Sequence, residues 1–234
     1  MKNILILLKK ELKLYFDSPI AYVVSVLFLL ICGYFFATPL FLINQASIRH
    51  LMDLLPLLYL FFIPAITMRL FAEEQKTGTI EILFTLPLND YEILIAKYLS
   101  STILIIICTL ITLFYTALLF LVGSPDLGQI ISTYIGLFLM CAMFSAVGVF
   151  GSTLTKNQIV SFIITFVICF FFYLVGKISV FIPPALQEII NFIGNDVHFE
   201  NISRGLIDTR DVIYYVSICA FFLYTALVII KSRK

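Results

Sequence analysis

The sequence predicts an all-α membrane protein with six transmembrane helices, an N-terminal amphipathic interfacial helix and both termini cytoplasmic. Three observations carry that prediction. Of the 234 residues, 62% are hydrophobic and 12% charged, with a mean hydropathy of +1.09. A water-soluble domain carries about twice that share of charge, so lipid must be the solvent for most of the surface. Six stretches reach or approach the roughly 20 apolar residues that a helix needs to cross a hydrocarbon core of about 30 Å. Finally, Lys and Arg fall unequally on the two sides that alternating spans create.

The elements follow in order. Residues 2–16 place Leu5, Leu8, Leu12, Tyr15 and Phe16 on one side of a helix, with Lys2, Lys9, Lys10 and Lys13 on another. That pattern reads as an interfacial helix on the cytoplasmic leaflet, or else as the basic flank of the first span. The first span, 20–36, follows these lysines and is long enough to stay in the membrane as a span, unlike a cleavable signal. The second, 51–68, has Asp53 at its start and Pro56 and Pro64 within, which predicts a kink. The third and fourth, 93–122 and 129–154, exceed the bilayer thickness and can tilt or project from it. In the fourth, Ser145, Gly148, Gly151 and Ser152 recur at three- and four-residue spacing, a pattern that lets helix backbones approach closely. The fifth and sixth spans are 159–181 and 212–230. Between them lies an external segment, 182–211, opened by Pro183 and Pro184. There Leu186, Ile189, Ile190 and Ile193 predict a short amphipathic helix ended by Gly194, followed by a polar loop. No linker, repeat or low-complexity tract divides residues 1–234, so one membrane domain is expected.

With the N-terminus inside, eleven of the fifteen Lys and Arg fall on the cytoplasmic side. Only Arg49, Lys177, Arg204 and Arg210 fall outside. The acids split evenly, as expected if they do not set topology.

Several chemistries are excluded. No G-x-x-x-x-G-K-[ST] run exists, so the chain has no Walker loop for a nucleotide. Cys32, Cys108, Cys141, Cys169 and Cys219 all sit in apolar runs without CxxC or Cys/His spacing, which argues against a disulfide framework or zinc site. His50 and His198 fall in loops predicted outside, leaving no general base for intramembrane proteolysis. Nor do the centres of the last four spans hold ionisable residues of the kind that proton relays require. A net charge of +1 gives no basic field for nucleic acid. No catalytic, cofactor-binding or metal-ligating residue is therefore expected.

One stretch carries more signal. The cytoplasmic loop 69–92 holds five of the seven acids assigned to the inside. A turn at Thr77–Gly78–Thr79 divides it into two helical halves. Thr79 can cap the second half with Glu81 in its first turn, Pro87 stops it, and Asn89 or Asp90 caps the next span. The result is a helix-turn-helix elbow with a charged tip.

The run Arg69-x-x-x-Glu73-Glu74-x-x-x-Gly78-Thr79-x-Glu81-x-Leu83-x-x-x-Pro87, followed by Glu92 and Lys97, resembles the signature of ABC-2-type transporter permeases. The resemblance extends over the whole chain. Asn201-Ile-Ser-Arg204-Gly205-Leu-Ile-Asp208-Thr-Arg-Asp211 is similar to the branch containing the gliding-motility-associated permease and the permease for nitrous oxide reductase maturation. The resemblance implies a permease subunit of an ATP-binding-cassette transporter, an exporter in the bacterial cytoplasmic (inner) membrane, paired with a second permease copy as a homodimer or with a related permease. It implies that Arg69, Glu73, Glu74, Gly78, Thr79, Glu81 and Pro87 contact a separate ABC ATPase subunit that binds ATP-Mg. Residues 183–194 would then correspond to external gate helices beside the exit, within an external segment whose marked residues are Pro183, Pro184, Arg204, Gly205 and Asp208. The gliding-motility branch also implies an alternative: an ATPase-coupled membrane scaffold working with an envelope or accessory protein without moving cargo.

Overall fold

The computed structural model describes residues 2–42, 49–85, 87–122, 126–178, 183–206 and 208–232. Twelve helices and no strand occur among the described residues. They are α1 (Lys2–Asp17), α2 (Pro19–Leu42), α3 (Arg49–Thr67), α4 (Ala72–Thr77), α5 (Thr79–Thr85), α6 (Asp90–Ile111), α7 (Leu113–Val122), α8 (Leu127–Leu154), α9 (Gln158–Ile178), α10 (Pro184–Ile193), α11 (Asn195–Ser203) and α12 (Thr209–Ser232). Six helical lengths are long and apolar enough to span a bilayer: Ala21–Leu40, Leu51–Thr77, Asp90–Leu121, Leu127–Leu154, Gln158–Ile178 and Thr209–Ser232. They agree with the six predicted spans; the end of the fifth, 179–181, lies outside the described residues.

The bundle is organised around α8, which packs against α3, α6, α9, α11 and α12. Within the spanning windows 72% of α8 is buried, against 22% of α2 and of α9. Small residues make this centre possible. A Cβ on Gly148 would run into the Thr67 side chain of α3, and one on Gly151 into the Thr165 hydroxyl of α9. Both glycines thus serve helix contacts inside one bundle. Hydroxyls in the spans are absorbed locally, as where Thr67 and Thr109 donate to the carbonyls four residues back, Ile63 (2.8 Å) and Ile105 (2.9 Å); such back-bonding keeps polar atoms from facing lipid.

Three elements differ from the sequence expectation. The long third span is two helices, broken at Thr112. Its hydroxyl donates to Thr109 O (2.6 Å) and lies 2.8 Å from the Tyr134 hydroxyl of α8. A side chain from a neighbouring helix thus enters the turn, an identifiable cause of such a break. The N-terminal helix α1 turns Leu7, Glu11 and Tyr15 inward rather than only the apolar stripe, and docks on α6 and α2. Leu5, Ile6, Leu14 and Phe16 stay exposed beside exposed Lys9, Lys10 and Lys13, a composition suited to the water–hydrocarbon boundary.

The third difference concerns the segment after α9, where the predicted polar loop is the helix α11. The Gly194 N–H donates to Ile190 O (2.9 Å), closing α10, while an extended backbone at Gly194 opens α11. A Cβ on Gly194 would lie 2.6 Å from Gly176 Cα in α9, so the corner seats only because residue 194 is glycine, while a Cβ on Gly176 would press on Asp196 Cβ at 3.0 Å. Of the predicted α10 stripe, the side chains of Leu186 and Ile189 lie outside the described residues.

Candidate functional site

The elbow is built where α3 leaves the bundle. Past Thr67 the chain turns, with Met68 N–H donating to Pro64 O (2.9 Å) and Leu70 N–H to Thr67 O (3.1 Å). Buried Phe71 and Ala72 then anchor the start of α4. Gly78 ends α4 at φ 74°, ψ 0°, the left-handed region that glycine enters without a Cβ penalty. It thereby reverses the chain into α5, dividing the elbow as the sequence predicts. Thr79 differs from its expected capping role. Its hydroxyl lies 2.9 Å from that of Thr77, across the turn. At the far side of the elbow Asn89 caps α6, its N–H donating to Glu92 Oε2 (3.2 Å).

Two layers result. Gly78, Thr79, Glu81 and Pro87 are exposed, and Glu73 is half-exposed. These form the tip. At the base, Arg69 Nε pairs with Glu73 Oε2 at 3.0 Å and its Nη1 donates to the Ser18 hydroxyl at 3.2 Å, tying the elbow to the α1–α2 junction. Glu74 points the other way, inward. Its Oε1 accepts from Lys97 Nζ on α6 at 2.7 Å, and Lys97 also reaches Glu11 Oε1 on α1 at 3.2 Å. The Lys97 side chain is only 3% exposed and lies over the Phe71 ring, 5.4 Å from its centroid.

One ammonium therefore joins three helices that are distant in sequence. An unpaired charge at that depth would be strongly disfavoured, and even a paired one gains its position only through good geometry. Further bonds fix the same junction. Asn3 donates to both Glu92 oxygens (3.4 and 3.3 Å), the Tyr15 hydroxyl donates to Ile66 O (3.0 Å), and Gln75 Nε2 donates to Thr153 O at the end of α8 (3.2 Å). Burial pushes the Tyr15 phenol well above its usual range, and the nearby Glu11 carboxylate adds to the effect, so this hydroxyl remains a donor. A cavity of about 530 Å³ opens between α1 and the elbow, lined by Lys10, Glu11, Tyr15, Arg69, Glu74 and Lys97. A second, about 570 Å³, separates the elbow from the α8–α9 turn and is lined by Gln75, Gly78, Glu81 and Lys156.

The residues Glu11, Asn3, Tyr15 and Gln75 carry this junction but do not stand out in the sequence, and Lys97 appears there only as the end of a motif. One signal was available. Glu11 is the lone acid between Lys2 and Phe16, among four lysines, and it shares the phase of Leu7 and Tyr15.

The residues expected at the opposite end serve turns. Pro183 and Pro184 start α10. Arg204 pairs with exposed Glu200 (2.5 Å). Gly205 takes φ 92° after α11, and Asp208 accepts from the Arg210 N–H (3.0 Å) ahead of α12. That backbone bond holds the Asp208 carboxyl below the usual carboxylate range. A polar cavity of about 300 Å³ lies near them, between Asp53, Tyr173, Lys177, Asp196 and Glu200. Burial raises the Asp196 carboxyl, with Lys177, 3.8 Å away, opposing the rise.

A family model described as "ABC-2 family transporter protein" matches residues 5–229. No curated protein matches the chain.

Proposed function

The chain belongs to the ABC-2 family of transporter proteins, and from that membership we propose that it is the permease subunit of an ATP-binding-cassette exporter, driven through the α4–α5 elbow. Members of this family are membrane subunits that partner with an ABC ATPase. The observation that carries the finer reading is the division of the elbow into an exposed acidic tip and a base locked by Lys97. A tip free to meet a soluble protein is useful only if its displacement reaches the spans. Here the base is bonded to α1, α6 and α8, so a push on α4 moves several helices together.

In this reading the elbow and both termini face the cytoplasm of a bacterial inner membrane. ATP-Mg binds the partner, and two permease copies pair to enclose the path. The apolar faces of α2 and α9, largely unburied in one chain, suit contact with lipid or with that second copy. This chain performs no covalent step. The resemblance to the gliding-motility and nitrous-oxide-reductase-maturation branch leaves mechanical work on an envelope protein as the other outcome of the same coupling.

The test begins with purification in mild detergent alongside the ATPase subunit. The parent complex should co-elute, and Glu81→Lys should release the ATPase while the permease stays monodisperse, because this acid is exposed and outside the buried junction. Labelling of Glu81→Cys only from the outer face of intact cells would overturn the proposal. Stimulation of ATP hydrolysis by an envelope protein, with no cargo moved in vesicles, would replace export with the mechanical role.

A further inference from the structure

Far from the elbow, the α10–α11 corner is fastened to the first turns of α12 through buried His198. Its Nδ1 lies 2.6 Å from Asp211 Oδ1 and its Nε2 lies 3.1 Å from Phe192 O. The ring stacks on Tyr214 at 4.0 Å between centroids, and the Tyr214 hydroxyl donates to Ile193 O at 2.6 Å. A neutral imidazole carries one N–H, yet here a carbonyl and a carboxylate face the two ring nitrogens. The geometry is satisfied only when the pair holds one proton more than a neutral ring plus an ionised acid. Asp211 is 2% exposed, and its Oδ2 has no hydrogen-bond partner among the described residues. His198 is therefore the group that answers its charge.

We propose that His198 and Asp211 form a proton-held latch: the shared proton keeps the α10–α11 corner seated on α12, and its loss releases the corner. Without that proton a nitrogen lone pair faces an acceptor inside a buried contact, leaving a polar group unpaired. Among the described residues, the remaining ties of the corner to α12 are the Tyr214 bond and packing.

The charged and titratable groups around the latch are few. On and just after α11 are Asp196, the Glu200–Arg204 pair and Asp208, all partly or fully at the surface. On α12 are exposed Arg210 and the buried phenols Tyr214 and Tyr215. From α9 come Tyr173 and Lys177, the latter spent on Asp196, and from α3 comes Asp53 on the far wall of the polar cavity. Helix α8 has no charged residue, and the Glu188 side chain on α10 lies outside the described residues. None of the described groups is within hydrogen-bond distance of His198 other than Asp211. The latch stands whichever way the protein transports.

The chain has two histidines, so His50→Gln leaves His198 as the sole imidazole. In lipid nanodiscs with ring-15N histidine, spectra taken along a pH series should show both nitrogens hydrogen-bonded with the extra proton on the pair at the acid end, and that proton should be lost as the pH is raised. Trypsin cutting after Arg204 and Arg210 reads release of the corner. Its rate should climb with pH, approaching tenfold per unit, the limit for one proton. Asp211→Asn supplies an amide N–H to a neutral ring, so it should cut slowly with no pH dependence beyond that of trypsin, which it calibrates. His198→Phe keeps the stack without the bonds and should cut fast at every pH. A neutral, singly protonated ring throughout, or parent cleavage that follows Asp211→Asn at each pH, overturns the latch.

Discussion

Lys97→Met should collapse the junction between elbow and bundle, with a loss of about 3–5 kcal/mol, the usual cost of leaving buried charges without their partner. The substitution keeps volume and apolar stem but removes the ammonium that separates Glu11 from Glu74. Two carboxylates would then share a pocket 9% and 19% exposed, each repelling the other. Thermal unfolding in detergent reads this as a lowered midpoint and lost monodispersity. Lys97→Arg is not a safe control, since a larger planar fork does not place its donors where one compact ammonium meets Glu11 and Glu74. The informative control is the triple Glu11→Gln, Glu74→Gln, Lys97→Met, which removes every charge at once. It should recover most of the stability, because a neutral cluster of similar shape is often as stable as the ion network it replaces. Function separates the roles. If charge carries the push from α4 to α6, the triple variant folds and binds the ATPase yet no longer couples hydrolysis to transport. A Lys97→Met protein as stable as the parent would show that the three helices are held by packing and by the neighbouring hydrogen bonds, without the ammonium.

How much of this was legible in the sequence depends on the length scale. The spans and the elbow were readable, because apolar runs and a Gly between two helical halves are local facts. The Gly78 turn is as local as a feature can be: its φ of 74° is needed whatever surrounds it, and a Cβ there would meet nothing within 4 Å. A larger residue at Gly78 thus acts through backbone strain of about 1–2 kcal/mol, and through whatever presses on the tip, rather than by clash. What stayed hidden was set by neighbours distant in sequence. Helix α11 turns Asn195, His198, Phe199 and Ile202 inward, so half of its buried face is polar and no apolar period marks it. The break at Thr112 depends on Tyr134, and the role of Glu11 depends on Lys97, 86 positions further along the chain. Polar residues with buried partners look, in sequence, like polar residues facing water.

The same distinction makes Gly148→Ala the sharpest test of the bundle's centre. One methyl there would overlap the Thr67 hydroxyl and lie 2.6 Å from Thr67 Cβ, and Thr67 is the last residue of α3, two before Arg69. The added atom must push α3, and with it the root of the elbow, away from α8. Overpacking of this kind costs about 1–3 kcal/mol, at times more, and here both coupling and stability should suffer. Truncating the partner to Ala cannot help, because Thr67→Ala keeps the Cβ that is already too close; only Thr67→Gly clears the space. Gly151→Ala behaves otherwise. Its obstruction is the Thr165 hydroxyl, whereas Thr165 Cβ would stand at 3.5 Å, ordinary contact. Gly151→Ala with Thr165→Ala should therefore recover the parent midpoint, while Gly148→Ala with Thr67→Ala should not. If both pairs recover equally, α3 and α8 are not in backbone-limited contact beside the elbow, and displacement of α4 would have to reach α8 through Gln75 alone.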